Sequence, residues 1–344
     1  MKATTHTERT VGIDHATSTT MRSLVQREYG SSSTLTLDDL PLPEAAKDQV
    51  LIEVHAAGID RGVWHLMTGM PYIVRAMGYG LTKPKNPTPG ADVAGRVVAV
   101  GDEVTRFAIG DEVFGIASGS YAEYAVADEN KVAAKPESIS FEQAAVASIS
   151  GITALQALTD VGGLEAGQDV LVIGASGGVG SYAVQLAKAL GATVTGVASG
   201  AKADVVRSLG ADDVIDYAGP DYLDGSRTFD LVIDIGGRNP VGKLRKALTP
   251  SGTLVIVGGE GGGKWTGGIG RQLGATLLSP FVSQQLKTFI SKEHYSHIER
   301  LAGFIDRGEV TPMVGRSYPL DQVPAAIDDL AAGRAEGKSA IVIR

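Results

Sequence analysis

Residues 170–190 read VLVIGASGGVGSYAVQLAKAL: an apolar β-branched run, a glycine turn, then a periodic apolar stretch. Val179, Ala183, Leu186, Ala187 and Leu190 recur at helical spacing, which predicts a helix over 178–190 with one buried face. The glycines between, Gly174, Gly177, Gly178 and Gly180, run G-x-x-G-x-x-G rather than G-x-G-x-x-G. Glycine there permits a sharp turn, close approach of backbone N–H groups to a phosphate, and tight helix–strand packing. The helix N-terminus behind it favours a pyrophosphate. Taken alone, such a turn also suits a glycine-rich βα connection with no ligand.

The surrounding chain repeats the pattern. Strands are expected over 169–174, 192–198, 213–217, 229–236 and 252–259, with helices over 178–190, 202–209 and 240–248. Near-continuous apolar strands alternating with helices predict an α/β, doubly wound parallel sheet covered on both faces. A P-loop is excluded, because no G-K-[ST] follows the glycines. A methyltransferase lacks its expected acidic residue at the end of the second strand.

That same missing acid bears on the nucleotide. An NAD site places Asp or Glu about 20 residues past the turn, on the ribose hydroxyls. Here the second strand runs into VASGAKAD, with Ser199 and Lys202 in that neighbourhood. Both can donate to a 2′-phosphate that a carboxylate would repel, so NADPH is expected over NADH.

Upstream, residues 21–130 hold short β-runs punctuated by Gly, Asp and Pro: 50–59, 93–101 and 111–117. They suggest a compact, partly barrel-like β domain. Residues 141–158 read as a pair of small-residue helices, and the last segment as two helices and a strand that return to the N-terminal domain. Residues 1–20 lack apolar periodicity and are read as a disordered extension, too polar for a secretory signal. With 344 residues, two domains are the default. A net charge of −8 argues against nucleic acid or an anionic membrane as partner, no apolar run is long enough to span a bilayer, and the cytoplasm is the default location. The chain has no cysteine, so disulfides, thiolate nucleophiles and Cys-based zinc sites are all excluded.

GASGGVGSYAVQLAKALGA, RSLGADDVIDY, FDLVIDIGG and the upstream PGADVAGRVVAVGDEVTRFAIGDEVFG together resemble the zinc-independent medium-chain dehydrogenase/reductases. The quinone oxidoreductase (zeta-crystallin) branch is nearest, and WHLMTGMPYIVRAMGYG and LLSPFVSQQLKTFI are similar to its reticulon-interacting-protein-like members. The resemblance spans about 21–344. It implies a GroES-like catalytic domain, 21–145 plus 292–344, around a Rossmann NADP-binding domain of 146–291, with the active site in the cleft. It further implies that Ser176, Gly177, Gly178 and Val179 contact the pyrophosphate. Ser199, Lys202 and Tyr217 would surround the 2′-phosphate, and Thr153 would lie by the nicotinamide. Val257 and Gly258 would flank its ribose, and Gly337 and Lys338 would reach the cofactor from the other domain. A homodimer through the last strand of the coenzyme domain, near 274–279, is implied as well.

Departures from the family pattern bear on mechanism. Zinc-dependent relatives bind metal through a cysteine after the 50–59 strand and through a later G-H-E motif. Here Ile59-Asp60 and PGADVAG stand in those places, so no metal is expected. His294 and His297 beside Glu293 are the one metal-like pattern, and read more simply as a solvated helix face. Asp60 stands where quinone oxidoreductases often carry Asn; it is protonated in a dry cleft, orients a neighbour, or is structural. His65 and Tyr72 are the other candidates for catalysis, as proton or hydrogen-bond donors to a substrate oxygen. The expected reaction is hydride transfer from NADPH to a quinone or α,β-unsaturated carbonyl. An NADPH-binding protein with little turnover and a zinc-free reductase of saturated ketones or aldehydes remain open at this stage.

Overall fold

The computed structural model describes residues 19–259, 263–335 and 337–344. The first part of the chain forms β1 (Thr20–Gln26), β2 (Leu35–Pro41), β3 (Gln49–Ile59), α1 (Arg61–Thr68), β4 (Asp92–Val100), β5 (Glu112–Ile116), β6 (Tyr124–Asp128), β7 (Val132–Ala134), α2 (Phe141–Ala145) and α3 (Ser148–Gln156). The alternating part follows as β8 (Asp169–Ile173), α4 (Gly178–Ala189), β9 (Thr193–Ala198), α5 (Ala203–Ser208), β10 (Asp213–Asp216), β11 (Phe229–Asp234), α6 (Val241–Lys246), β12 (Leu248–Ile256), α7 (Ile269–Leu278) and β13 (Gln285–Thr288). The chain closes with α8 (Tyr295–Asp306), β14 (Val314–Pro319), α9 (Val323–Ala331) and β15 (Lys338–Val342).

The six strands β8–β13 make one parallel sheet in the order β10-β9-β8-β11-β12-β13. Their apolar runs are buried on both faces, as Val170, Leu171, Val172, Val232, Ile233, Leu254 and Val255 show. Chain order reverses beside β8, because β9 and β10 lie on one side of it and β11 on the other. That reversal opens a crevice beyond the carboxyl ends of β8 and β11, where such sheets bind ligands.

The other large sheet has the order β14-β15-β3-β4-β5-β7, with β6 also on β3. β15 brings the C-terminus back antiparallel to β3, pairing Ile341 with Ala57 and Ala340 with Gly58. β14, polar in sequence and not expected as a strand, runs parallel to β15 at the edge.

Two expectations need amendment. Residues 274–279 are not a strand: 269–278 form α7, and the last strand of the parallel sheet is β13. The GRQLGATLL run carries apolar residues at helical spacing and buries only Ala275. Of the extension expected over 1–20, residues 1–18 lie outside the described residues, while Thr20 already opens β1.

The β8–α4 turn is closely packed. Gly174 takes φ +92, and a Cβ placed on Gly180 would run into the Gly174 carbonyl oxygen. Gly180→Ala should therefore push α4 off β8 and destabilise the chain by about 1–3 kcal/mol, read from denaturant unfolding.

Candidate active site

The glycine turn presents backbone rather than side chains. Gly177 caps α4 with its N–H bonded to Gly174 O at 3.1 Å, and no side chain caps the helix. The amides of Gly178 and Val179 thus begin a 12-residue helix with its positive end toward the crevice. The Ser176 carbonyl accepts from Gly337 N at 3.1 Å, a backbone bridge from the strand that belongs to the other sheet. The cradle fits a dinucleotide pyrophosphate: donors face it, and glycine leaves room for the phosphates.

At the end of β9, Ser199 and Lys202 flank a short 3₁₀ turn, and Tyr217 at the end of β10 is 62% exposed. The Lys202 ammonium donates to Ala335 O at 2.6 Å and to Gly333 O at 3.3 Å, in the loop after α9. Asp216, which the sequence reading did not single out, points a carboxylate oxygen toward Gly200, where an added Cβ would meet it at 2.6 Å. A cation and an acid therefore share this corner.

Val257 and Gly258 leave β12 half-buried beside the crevice, and Thr153 lies half-buried on α3. Behind Gly258 is an ion pair with no counterpart among the sequence candidates. Asp234, fully buried at the end of β11, pairs with Arg271 of α7. Arg271 also donates to Gly258 O at 2.8 Å and Asn239 O at 3.0 Å. Burial pushes the Asp234 carboxyl up, and Arg271 opposes it. One guanidinium thus ties both loops at the sheet's carboxyl edge, although its residue lies 37 positions from Asp234.

Across the crevice, Asp60 caps α1, accepting from Val63 N at 3.0 Å through Oδ1. His65 on that helix is half-buried, with Nδ1 against Met70 O at 2.9 Å. Tyr72 follows in the loop, its ring edge-on to Trp265 at 5.2 Å and beneath the Arg75 guanidinium. Main-chain bonds from Tyr72 N to Lys264 O and from Ile73 N to Trp265 O strap this loop to the one after β12. The structure thus sets Asp60 and His65 at the cap and on the body of α1 and Tyr72 in the loop after it, 37% exposed.

Lys338 does not extend toward the glycine turn. Its ammonium is buried on Asp92 and stands 3.6 Å from Asp60 Oδ2, an oxygen that is buried with no hydrogen-bond partner. Asp92 Oδ1 accepts from Ile149 N at 2.8 Å. Burial pushes the Asp92 carboxyl up to about 7, against the pull of Lys338 and with that of Asp60. The places where zinc-dependent relatives carry metal ligands hold Asp60 and Asp92, with an ammonium already on Asp92. These residues do not fit a zinc ion, which needs three or four N, S or O ligands and no competing cation. Glu293, His294 and His297 diverge: Glu293 pairs with Lys131 at 2.8 Å, His294 caps α8, and His297 lies 3.7 Å from Asp160. Among the described residues no group of three His, Cys, Asp or Glu is disposed to hold a metal.

Two outcomes follow. A carboxyl raised by burial binds its proton more tightly in the folded chain, so its stabilising effect is full below the ordinary Asp range and is lost as pH rises through about 7. The melting temperature should fall between pH 5 and 8, and Asp92→Asn should flatten that fall. Arg271→Met leaves the buried Asp234 unpaired and should cost about 3–5 kcal/mol in denaturant unfolding.

The chain matches two family domains, the alcohol dehydrogenase GroES-like domain over 46–137 and the zinc-binding dehydrogenase domain over 209–341. It is 32% identical to the quinone oxidoreductase of Homo sapiens over 335 residues, covering 94% of this chain and 98% of that one. The structure of the quinone oxidoreductase from Coxiella burnetii superposes with a TM-score of 0.84 at 28% identity, over 94% of this chain and all of that one. A mycobacterial structure complexed with NADPH gives a TM-score of 0.79 at 25% identity, with 94% of this chain and 100% of that one covered. A GroES-like domain, a Rossmann-like parallel sheet and identity sustained along nearly the whole chain place it in the medium-chain dehydrogenase/reductase family, among the quinone oxidoreductases.

Proposed function

We propose that this chain is a zinc-independent, NADPH-dependent oxidoreductase that delivers hydride to a quinone or an α,β-unsaturated carbonyl. The observation that carries the reading is the Lys338 ammonium on Asp92, a protein cation where zinc-dependent relatives place their metal. Without a Lewis acid, the substrate must accept hydride through its own conjugation, which spreads the negative charge onto an oxygen. NADPH, when bound, supplies the hydride.

The chain's own residues would do the rest. The amides of Ser176, Gly177, Gly178 and Val179 bind the pyrophosphate at the α4 N-terminus. Arg271 fixes the Gly258 loop beside the nicotinamide ribose by holding its carbonyl. Thr153 lines the nicotinamide end from α3. The strap between Tyr72 and Lys264–Trp265 narrows the cleft mouth and shields it from water. His65, oriented by Met70 O, and the Tyr72 phenol are the donors offered to the substrate oxygen.

Support for NADPH over NADH comes from Ser199 and Lys202 at the end of β9, where the strand itself ends in no Asp or Glu; the acid of this corner, Asp216, comes from β10. Lys202 would exchange the Gly333 and Ala335 carbonyls for the 2′-phosphate, a stronger, charge-assisted partner. Tyr217 would flank it. A homodimer completes the reading, through the outer edge of β13, which pairs only with β12 among the described residues.

The test is an oxidation screen of quinones and enones with NADPH and NADH in parallel. NADPH should be preferred, and Lys202→Ala should raise its KM about tenfold, the order of one charge-assisted contact, with NADH unchanged. Equal use of both nucleotides by the wild type would contradict the cofactor assignment. Tight NADPH binding without turnover of any quinone or enone would contradict the reaction.

A further inference from the structure

A lysine is seldom fully buried unless paired, and Lys338 is 2% exposed. Its stem is gripped by β3: a Cβ on Gly58 would lie 3.1 Å from Lys338 Cε. Its ammonium bonds Asp92 of β4 and faces the unpartnered Asp60 Oδ2 at the start of α1. Asp92, with its second oxygen, also accepts from Ile149 N in the first turn of α3, 57 residues further along the chain. One residue earlier, Gly337 donates to Ser176 O in the glycine turn. A Cβ on Gly178 would lie 3.9 Å from Lys338 Cβ. Lys338 and its neighbour Gly337 therefore contact β3, β4, the start of α1 and the glycine turn, and reach α3 through Asp92.

The cluster has two further titratable neighbours. Tyr121, after β5, donates to Gly58 O at 3.0 Å, and Tyr182 of α4 donates to Val146 O at 3.1 Å. Burial and the nearby acids push both phenols up, so both remain donors. Two carboxyls then share one ammonium, and the group is neutral only while one carboxyl keeps its proton.

We propose that Lys338 is a positioning residue for the cofactor: clamped between Asp92 and Asp60, its ammonium holds the first turn of α3 to the β3–β4–β15 sheet through Asp92 and fixes the start of β15, whose neighbouring Gly337 N–H holds the glycine turn. The cluster acts on the nucleotide through the register of these two amide-bearing turns. It rests on the dinucleotide reading above, and adds that the place of the metal is taken by a structural cation with a defined task. Losing the ammonium leaves two acids facing each other in a dry interface, and the turns separate from the sheet.

The test compares the wild type with Lys338→Met, Lys338→Arg and the double variant D92N/K338M. The readouts are NADPH affinity by fluorescence titration at pH 6 and 8, steady-state KM and kcat, and amide hydrogen exchange at 147–153 and 174–180 in the ligand-free proteins. Lys338→Met should weaken NADPH at least tenfold through KM, with kcat at saturation changed less than threefold, and should speed exchange in both segments. Lys338→Arg should recover most of the affinity. The double variant should abolish the pH dependence of binding shown by the wild type. Should Lys338→Met fail to fold, the double variant, which leaves no charge unpaired at Asp92, supplies both readouts.

Affinity within twofold of wild type and unchanged exchange would overturn the proposal. So would weakened binding with unchanged exchange, because the ammonium would then act on the nucleotide directly. If the wild type itself binds no NADPH, the cofactor reading fails, and hydrogen exchange in the ligand-free variants still decides the role of Lys338.

Discussion

The chain packs its two large sheets against one shared core, and a buried ammonium adds a polar tie between them where the nucleotide is proposed to lie. Lys338 sits at the start of β15, the last strand of the chain, which closes the mixed sheet against β3. From there it reaches Asp92, and Asp92 reaches α3 through Ile149 N. A charge buried this deeply is tolerable only with opposite charge and hydrogen bonds around it. Two carboxyls provide that, but they are one more than a single ammonium neutralises. The cluster is thus held between excess acid and excess burial, which is why the Asp92 carboxyl keeps its proton up to about pH 7.

The same logic recurs at the outer end of the crevice. Arg271 pairs with the buried Asp234 and donates from its two terminal nitrogens to two loop carbonyls. In both places a long cationic side chain from one element sets the position of backbone from another. The glycine turn lies between these two anchors, and it can stay free of capping side chains because neighbours fix it. A cofactor site made of backbone amides needs such external support, since glycine-rich backbone has little stiffness of its own.

The parallel sheet was legible from the sequence because its strands are continuous apolar runs and its helices carry one apolar face; β8, α4, β9 and β11 fall within a few residues of expectation. Edges were less so. β14 has no apolar face and is defined by pairing with β15, and 274–279 is expected as a strand although most of it belongs to a helix whose local periodicity is helical. Within the site, the turn and the end of β9 were readable because local motifs specify them. Asp234–Arg271 and Asp92–Lys338 were not, because each joins residues far apart in the chain and neither carries a motif. The EGKSAIVI context points to Lys338 as a cofactor neighbour, but nothing local in it points to the buried pairing of its ammonium with Asp92.

The central claim is that a protein cation stands in the metal's place and that hydride transfer proceeds without zinc. It is tested most directly by single-turnover transfer of deuterium from 4-deuterated NADPH to the β-carbon of an enone, using protein dialysed against chelator and shown by mass spectrometry to hold no zinc. Full-rate transfer that added zinc leaves unchanged is the predicted result. Loss of transfer on chelation, with recovery on adding zinc, would contradict the account.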